Sequence, residues 1–231
     1  MKAAIVQSNY LPWKGYFDII NMVDLFIFYD DVQYTKRDWR NRNRIKTRDG
    51  IKWLTVPCTS STNQRICEVS FTDANWQQKH WKTIQFNYAR AKYFGEYRPI
   101  FEEIYTGRTW HNLSEFNQYT IQVIAKQILN SHTSFEDSRN YDLKGQKDER
   151  LLDLLGKCGA TSYLSGPSAR SYIREDLFRE AGIDRVWMNY SGYPEYDQIY
   201  PPFDHYVSII DLIFNEGPRT VDYLKSFKPK S

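Results

Sequence analysis

A chain of 231 residues, 41% of them hydrophobic, can bury one large core, and its net charge of +3 excludes a surface given over to nucleic acid. Three cysteines without a CxxC spacing exclude a disulfide framework and a cysteine zinc site, and they fit reduced cytosolic thiols. No apolar run approaches the roughly 20 residues of a membrane span, and the chain opens in a strand-like segment rather than a signal peptide, so a cytoplasmic protein without membrane insertion is expected.

Residues 3–7 form a short apolar strand ending at Gln7, and Ser8-Asn9-Tyr10-Leu11-Pro12 breaks it. Tyr16, Phe17, Ile19, Ile20 and Val23 then recur at helical spacing. Leu25–Tyr29 is a continuous apolar run, as in a parallel strand buried on both faces. This β-loop-α-β unit predicts a parallel-sheet core with a right-handed crossover and ligands beyond the strands' carboxyl ends. Gln7, Asn9, Tyr10, Pro12, Asp31 and Gln33 belong to that edge, and Gly15 permits close backbone approach at the helix start.

From Arg40 to Arg48 every second residue is a cation: Arg40, Arg42, Arg44, Lys46 and Arg48. In a strand all five project from one face. Asp49-Gly50 supplies a turn into a returning strand, Ile51–Val56, stopped by Pro57. Such a row suits phosphate or carboxylate oxygens, with Asn43 between its members. Its bland alternative is an edge strand kept soluble by charge.

The middle third reads as helical, and we take about 75–145 as a helical insertion within a single α/β domain spanning 1–231. Trp81, Ile84, Tyr88 and Ala91 mark an apolar face, with His80, Thr83 and Asn87 on the polar one. Asn112 and Glu115 suggest a capping box for a helix to Leu129, and 131–146 read as a polar loop. A helix follows over Lys147–Lys157, then a strand Thr161–Leu164, a turn at Ser165–Ser168, a helix Ile173–Ala181 and a strand Arg185–Tyr190. The tyrosine-rich stretch 190–206 reads as packed covering, and a helix Val207–Asn215 closes at Gly217, with Asp211 as a cap or an arginine's partner.

His80 is the expected general acid or base, because only histidine titrates near neutrality unperturbed. Asp31 and Tyr10 are the reserve proton acceptors, and Asp30-Asp31 could also hold a magnesium-bound diphosphate or neutralise the cation row. Ser168 lacks a nucleophile-elbow pattern. No histidine, cysteine or carboxylate spacing indicates a metal site, so none is expected, and no cofactor is indicated.

The strings IVQSNYLPWKGYFDII and YDDVQYTKRDWRNRNRIKTRDGIKWLTVPC, with GATSYLSGPSARSYI and SIIDLIFNEGP later, resemble the WbqC-like proteins over almost the whole chain. That resemblance implies work in polysaccharide or O-antigen biosynthesis on a nucleotide-linked sugar, but it carries no catalytic residues across. A looser resemblance is to nucleotidyltransferases with an H-x-G-H signature: Gly15 matches, while Lys14 or Trp13 and Tyr16 stand where the histidines would. Ser165-Gly166-Pro167-Ser168-Ala169-Arg170 resembles those enzymes' late Ser/Thr-rich loop ending in a basic residue.

Together these readings suggest transfer of an acyl or aminoacyl group to a nucleotide-linked amino sugar. Adenylation or nucleotidyl transfer at the same loop is the competing enzyme reading. A non-catalytic nucleotide-sugar or RNA-binding partner of a glycosyltransferase is the third, using the Arg row with Trp39 and Trp53. The modest charge speaks against nucleic acid, except a tRNA serving as acyl donor.

Overall fold

The computed structural model describes all residues except 60, 62, 172, 173 and 228–231. Strands are β1 (Lys2–Val6), β2 (Leu25–Phe28), β3 (Arg42–Thr47), β4 (Gly50–Thr55), β5 (Ser134–Asp137), β6 (Ser162–Ser165) and β7 (Asp184–Trp187). Helices are α1 (Lys14–Asn21), α2 (Trp76–Tyr88), α3 (Phe94–Thr106), α4 (Leu113–Val123), α5 (Lys147–Lys157), α6 (Glu175–Glu180) and α7 (Ile209–Glu216).

Five strands form one parallel sheet in the order β5-β2-β1-β6-β7. Its central strands are apolar at successive positions because both faces are covered. Ala3, Ile5, Leu25 and Ile27 pack with Leu154, Leu155 and Phe178 of α5 and α6. Ala4, Phe26 and Phe28 face the other way, in a cluster that also takes in residues of α1, α2, α3, α4 and α7. The helices of the middle third thus share their core with the sheet.

The α/β class and opening β-loop-α-β unit are as expected, and helix α5 has the predicted bounds. Residues 134–137 are an exception: read as loop, they are the edge strand β5, paired in parallel with β2. A lone phenylalanine among Ser, Glu and Asp carries no strand periodicity, and the free edge of β2 supplies the pairing. Asn112 caps α4 as expected, accepting from Glu115 N at 3.2 Å. The predicted helix at 173–181 runs over Glu175–Glu180, and Ile173 lies outside the described residues.

The β3–β4 hairpin forms, but Thr47 pairs with Gly50, so the turn residues are Arg48 and Asp49, with Gly50 at φ +105°. Only Arg42, Arg44 and Lys46 of the cation row lie on the strand. The opposite face of β3 buries Asn43 and Ile45.

Gly15 serves packing rather than ligand approach. A Cβ there would lie 2.3 Å from the Trp13 indole. Alanine gains about 1 kcal/mol of helix propensity, but a clash with a rigid ring costs about 1–3 kcal/mol. Gly15→Ala should therefore be net destabilising, on the order of 1 kcal/mol in urea unfolding, with a shifted tryptophan emission as Trp13 moves. An unaltered midpoint and spectrum would refute this packing role.

Candidate functional site

The strand order reverses between β1 and β6, the point at which open α/β sheets bind ligands. There the carboxyl ends of the strands open into a cleft of about 1020 Å³. Gln7 and Asn9 follow β1, Asp31 and Gln33 follow β2, and Ser165 and Gly166 end β6; all six line it. Trp13 and Gln146, the N-cap residues of α1 and α5, also line it, and neither helix start has a side-chain cap. Their helix dipoles favour an anion, although Tyr16 N donates to Trp13 O and Glu149 N to Gln146 O, and Asp148 and Glu149 lie in the first turn of α5.

The titratable wall is mainly cationic, with Arg40, Lys147 and Arg150 against Asp31. Arg40 Nη1 also reaches Asp38 at 2.8 Å. Asp31 accepts from Ser138 Oγ at 2.6 Å and from the Arg150 guanidinium. Arg150 Nε is out of solvent contact and has no hydrogen-bond partner; Gln7 Oε1 and Asn9 Oδ1 share that condition. Burial pushes the phenols of Tyr16 and Tyr190 upward, so both stay neutral walls of the cleft.

Beside the cleft, and sharing Asn9, Trp13 and Trp39 with it, lies a pocket of about 160 Å³ completed by Pro12, Asn43 and Tyr206. Asn43 shapes it from below, its Nδ2 donating to the carbonyls of Tyr10 (3.2 Å) and Leu11 (2.7 Å). That pair of bonds holds Leu11 in a left-handed turn at φ 42°.

Several expected site residues are elsewhere. His80 and Tyr10 do not line the cleft. Tyr10 is fully buried, its Oη 2.7 Å from His80 Nδ1 and 2.5 Å from Tyr105 Oη. Burial draws the imidazole down to about 4, opposed by a hydrogen bond with the Thr55 backbone. A neutral ring engaged on both sides is a strut beneath the loop rather than a proton acceptor for substrate. Thr83 and Asn87, expected to orient it, bond their own helix at Lys79 O and Thr83 O instead.

The cation row is divided: Arg40 lines the cleft, while Arg42, Arg44 and Lys46 do not. Arg42 and Arg44 lie over the Trp53 ring at 4.3 and 5.8 Å, outside the cleft lining, with both Nε atoms unpartnered. Trp53 sits opposite Arg44 in the register, so stacking is the nearest use for these planar cations. Lys46 is 2% exposed and donates to the Pro202 carbonyl. Lys14 makes the same kind of clamp, reaching Pro194 O at 3.2 Å beside Tyr193 and Tyr196. Burial lowers its ammonium to about 8, against the carboxylates of Asp18, Asp211 and Glu195.

The two lysines pin the tyrosine-rich segment, and Tyr193 and Tyr196 add bonds to Asp18 and Asp211. Asp211 thus serves tyrosines and Gln198 rather than an arginine. In the H-x-G-H alignment, Trp13 and Tyr16 face the cleft, while Lys14 turns away.

Sequence reasoning missed Lys147 and Arg150. Their helix was legible, but its position depends on β5, which was not. Arg150 follows Lys147 by three residues, a one-face cation signal at the start of α5 that could have been read.

Among the described residues no group of three His, Cys, Asp or Glu side chains is placed to hold a metal, and no helix is long and apolar enough to cross a membrane. The model of the WbqC-like protein family matches residues 7–223. The uncharacterized protein Rv1507c of Mycobacterium tuberculosis is 46% identical over 226 residues, covering 97% of each chain. No solved structure matches the chain. A family match over residues 7–223, nearly the entire length, means that this chain belongs to the WbqC-like protein family.

Proposed function

We propose that the protein binds a nucleotide-linked amino sugar in the cleft and transfers an acyl or aminoacyl group to its amine, as a step of polysaccharide biosynthesis. The observation that carries this reading is the cationic cleft at the β1/β6 reversal, where two uncapped helix starts meet Arg150 and Lys147. Its volume of about 1020 Å³ is at the upper end for small-molecule sites, about 300–1,000 Å³, as a sugar joined to a diphosphate requires.

In this reading the diphosphate engages Arg150 and Lys147. Drawing Arg150 toward phosphate loosens its pair with Asp31 and leaves that carboxylate, oriented by Ser138, to accept a proton. The amine nitrogen attacks the carbonyl carbon of an activated ester or thioester. An N–C bond forms, the C–O or C–S bond breaks, the amine proton passes to Asp31 and the donor's leaving group departs. The Gly166 backbone is the oxyanion's expected donor.

Calorimetry with inorganic pyrophosphate and a UDP-linked 2-amino sugar tests the binding half. Arg150→Ala should weaken both by about 1.5–3 kcal/mol, the range for hydrogen bonds to charged groups, while Arg42→Ala should not. Mass spectrometry after adding an acyl thioester, or a charged tRNA, tests the chemistry. Failure of the native protein to bind either anion would remove the proposal.

A further inference from the structure

The small pocket beside the cleft has features that catalysis in the cleft does not need. Its walls are the Trp13, Trp39 and Tyr206 rings, and Trp39 and Tyr206 are 43% and 63% exposed. Large rings left in water ordinarily mark a surface with a partner. Pro12 adds another flat apolar wall, and Asn9 and Asn43 supply the polar groups. Asn9 Oδ1 is a buried acceptor with no donor, whereas Asn43 spends its amide on the loop carbonyls and its Oδ1 on Arg44 N at 2.8 Å. The cavity therefore offers aromatic faces with no charged residue among its walls, and Asn9 Oδ1 itself is out of solvent contact.

The surroundings extend the same chemistry. Trp39 lies 5.5 Å from Trp53, on which Arg42 and Arg44 stack, and the Arg44 guanidinium is 5.9 Å from the Tyr206 ring. These cations stiffen an aromatic platform and make its rim positive. The pocket is continuous with the cationic cleft through Asn9, Trp13 and Trp39. A volume of about 160 Å³ equals roughly five waters at ~30 Å³ each, the bulk of a substituted six-membered ring.

We propose that this pocket is the base subsite of the same ligand: the heteroaromatic base of a nucleoside diphosphate stacks on the exposed Trp39 and Tyr206 rings, while its phosphates lie in the cleft. A flat heteroaromatic ring matches aromatic walls with a cationic rim, whereas an acyl chain would make no use of those cations and a second sugar would find few polar partners; stacking tolerates any base because each has a π face.

The inference rests on the cleft's being a phosphate site, so the test separates the two. Calorimetry compares inorganic pyrophosphate with uridine diphosphate and adenosine diphosphate on the native protein and on Trp39→Ala, Tyr206→Ala and Asn9→Ala. At least one nucleotide should bind about 10-fold or more tightly than pyrophosphate. Tyr206→Ala, outside the cleft lining, should erase about 5-fold or more of that advantage while leaving pyrophosphate affinity unchanged, and Trp39→Ala and Asn9→Ala, which also line the cleft, should lower nucleotide affinity more than pyrophosphate affinity. The two rings are exposed enough for folding to survive, which circular dichroism checks. Equal affinity for pyrophosphate and both nucleotides, or variants that keep the full advantage, would overturn the base subsite and leave the cleft intact. Binding of none of the three would overturn both.

Discussion

The His80→Gln variant should hold its stability in mild acid better than the native protein. In the native fold the imidazole is 9% exposed and meets Tyr10 Oη on one side and the Thr55 backbone on the other. Its folded pKa is about 4, below the ordinary 6.5, because burial penalises the charged ring. The unfolded chain therefore takes up a proton near pH 6.5, whereas the folded one refuses it until about pH 4. The stability of the neutral strut is complete above 6.5 and is lost as pH falls through that window. About 2.5 units at 1.36 kcal/mol each give a loss of about 3 kcal/mol.

A second buried group hides this loss in the native curve. Burial raises the Asp211 carboxyl to about 6, against the bonds from Tyr196, Tyr88 and Gln198 that favour its charge. The folded state keeps that proton from about pH 6 downward, while the unfolded carboxylate takes it up only near 3.8, so Asp211 adds stability as pH falls across nearly the same interval. The informative quantity is the difference between the two proteins. Glutamine can still accept from Tyr10 and donate to Thr55, but it has no proton to gain. Urea midpoints at pH 7 and pH 4 should show the gap between variant and native shifting by about 3 kcal/mol in the variant's favour. Parallel pH profiles would show that His80 titrates as it does in water.

His80's position was partly legible. Trp76, His80, Ile84 and Tyr88 recur every four residues, and that stripe is buried with His80 in it. Trp76, Gln77, His80, Trp81, Ile84, Asn87 and Tyr88 form one buried arc, and the sequence reading drew its boundary too narrowly by starting at Trp81 and placing His80 and Asn87 on the polar side. Polar residues inside a buried arc carry no periodicity signal of their own. The parallel strands were legible for the opposite reason: sheet burial on both faces leaves an unbroken apolar run such as Leu25–Phe28.

The cation row shows a different limit. Alternation put Arg42, Arg44 and Lys46 on one face, and they are there. What that face meets is set by long-range partners: Trp53 across the hairpin and Pro202, 156 residues away from Lys46. The strand-edge residues of the cleft fared better because topology alone predicts their location. Gln7, Asn9, Asp31, Gln33, Ser165 and Gly166 come together as a parallel sheet requires.

The largest effect on turnover is expected at Asp31, if the cleft performs acyl transfer. Asp31 is the lone carboxylate on the cleft wall among the described residues, and Ser138 Oγ at 2.6 Å fixes its orientation. Asp31→Asn keeps the size and the Ser138 contact but cannot take the amine's proton. Removing a positioned base lowers turnover by about 10²–10⁴-fold. The alternative role, holding Arg150 in place, predicts a different signature. Without its carboxylate partner Arg150 would still carry charge for phosphate, so a merely structural Asp31 would alter KM and spare kcat. A base would show the reverse, with kcat falling and pyrophosphate affinity held or improved. Near-normal kcat in Asp31→Asn would sink the assignment, because among the described residues no other carboxylate reaches the cleft wall to replace it.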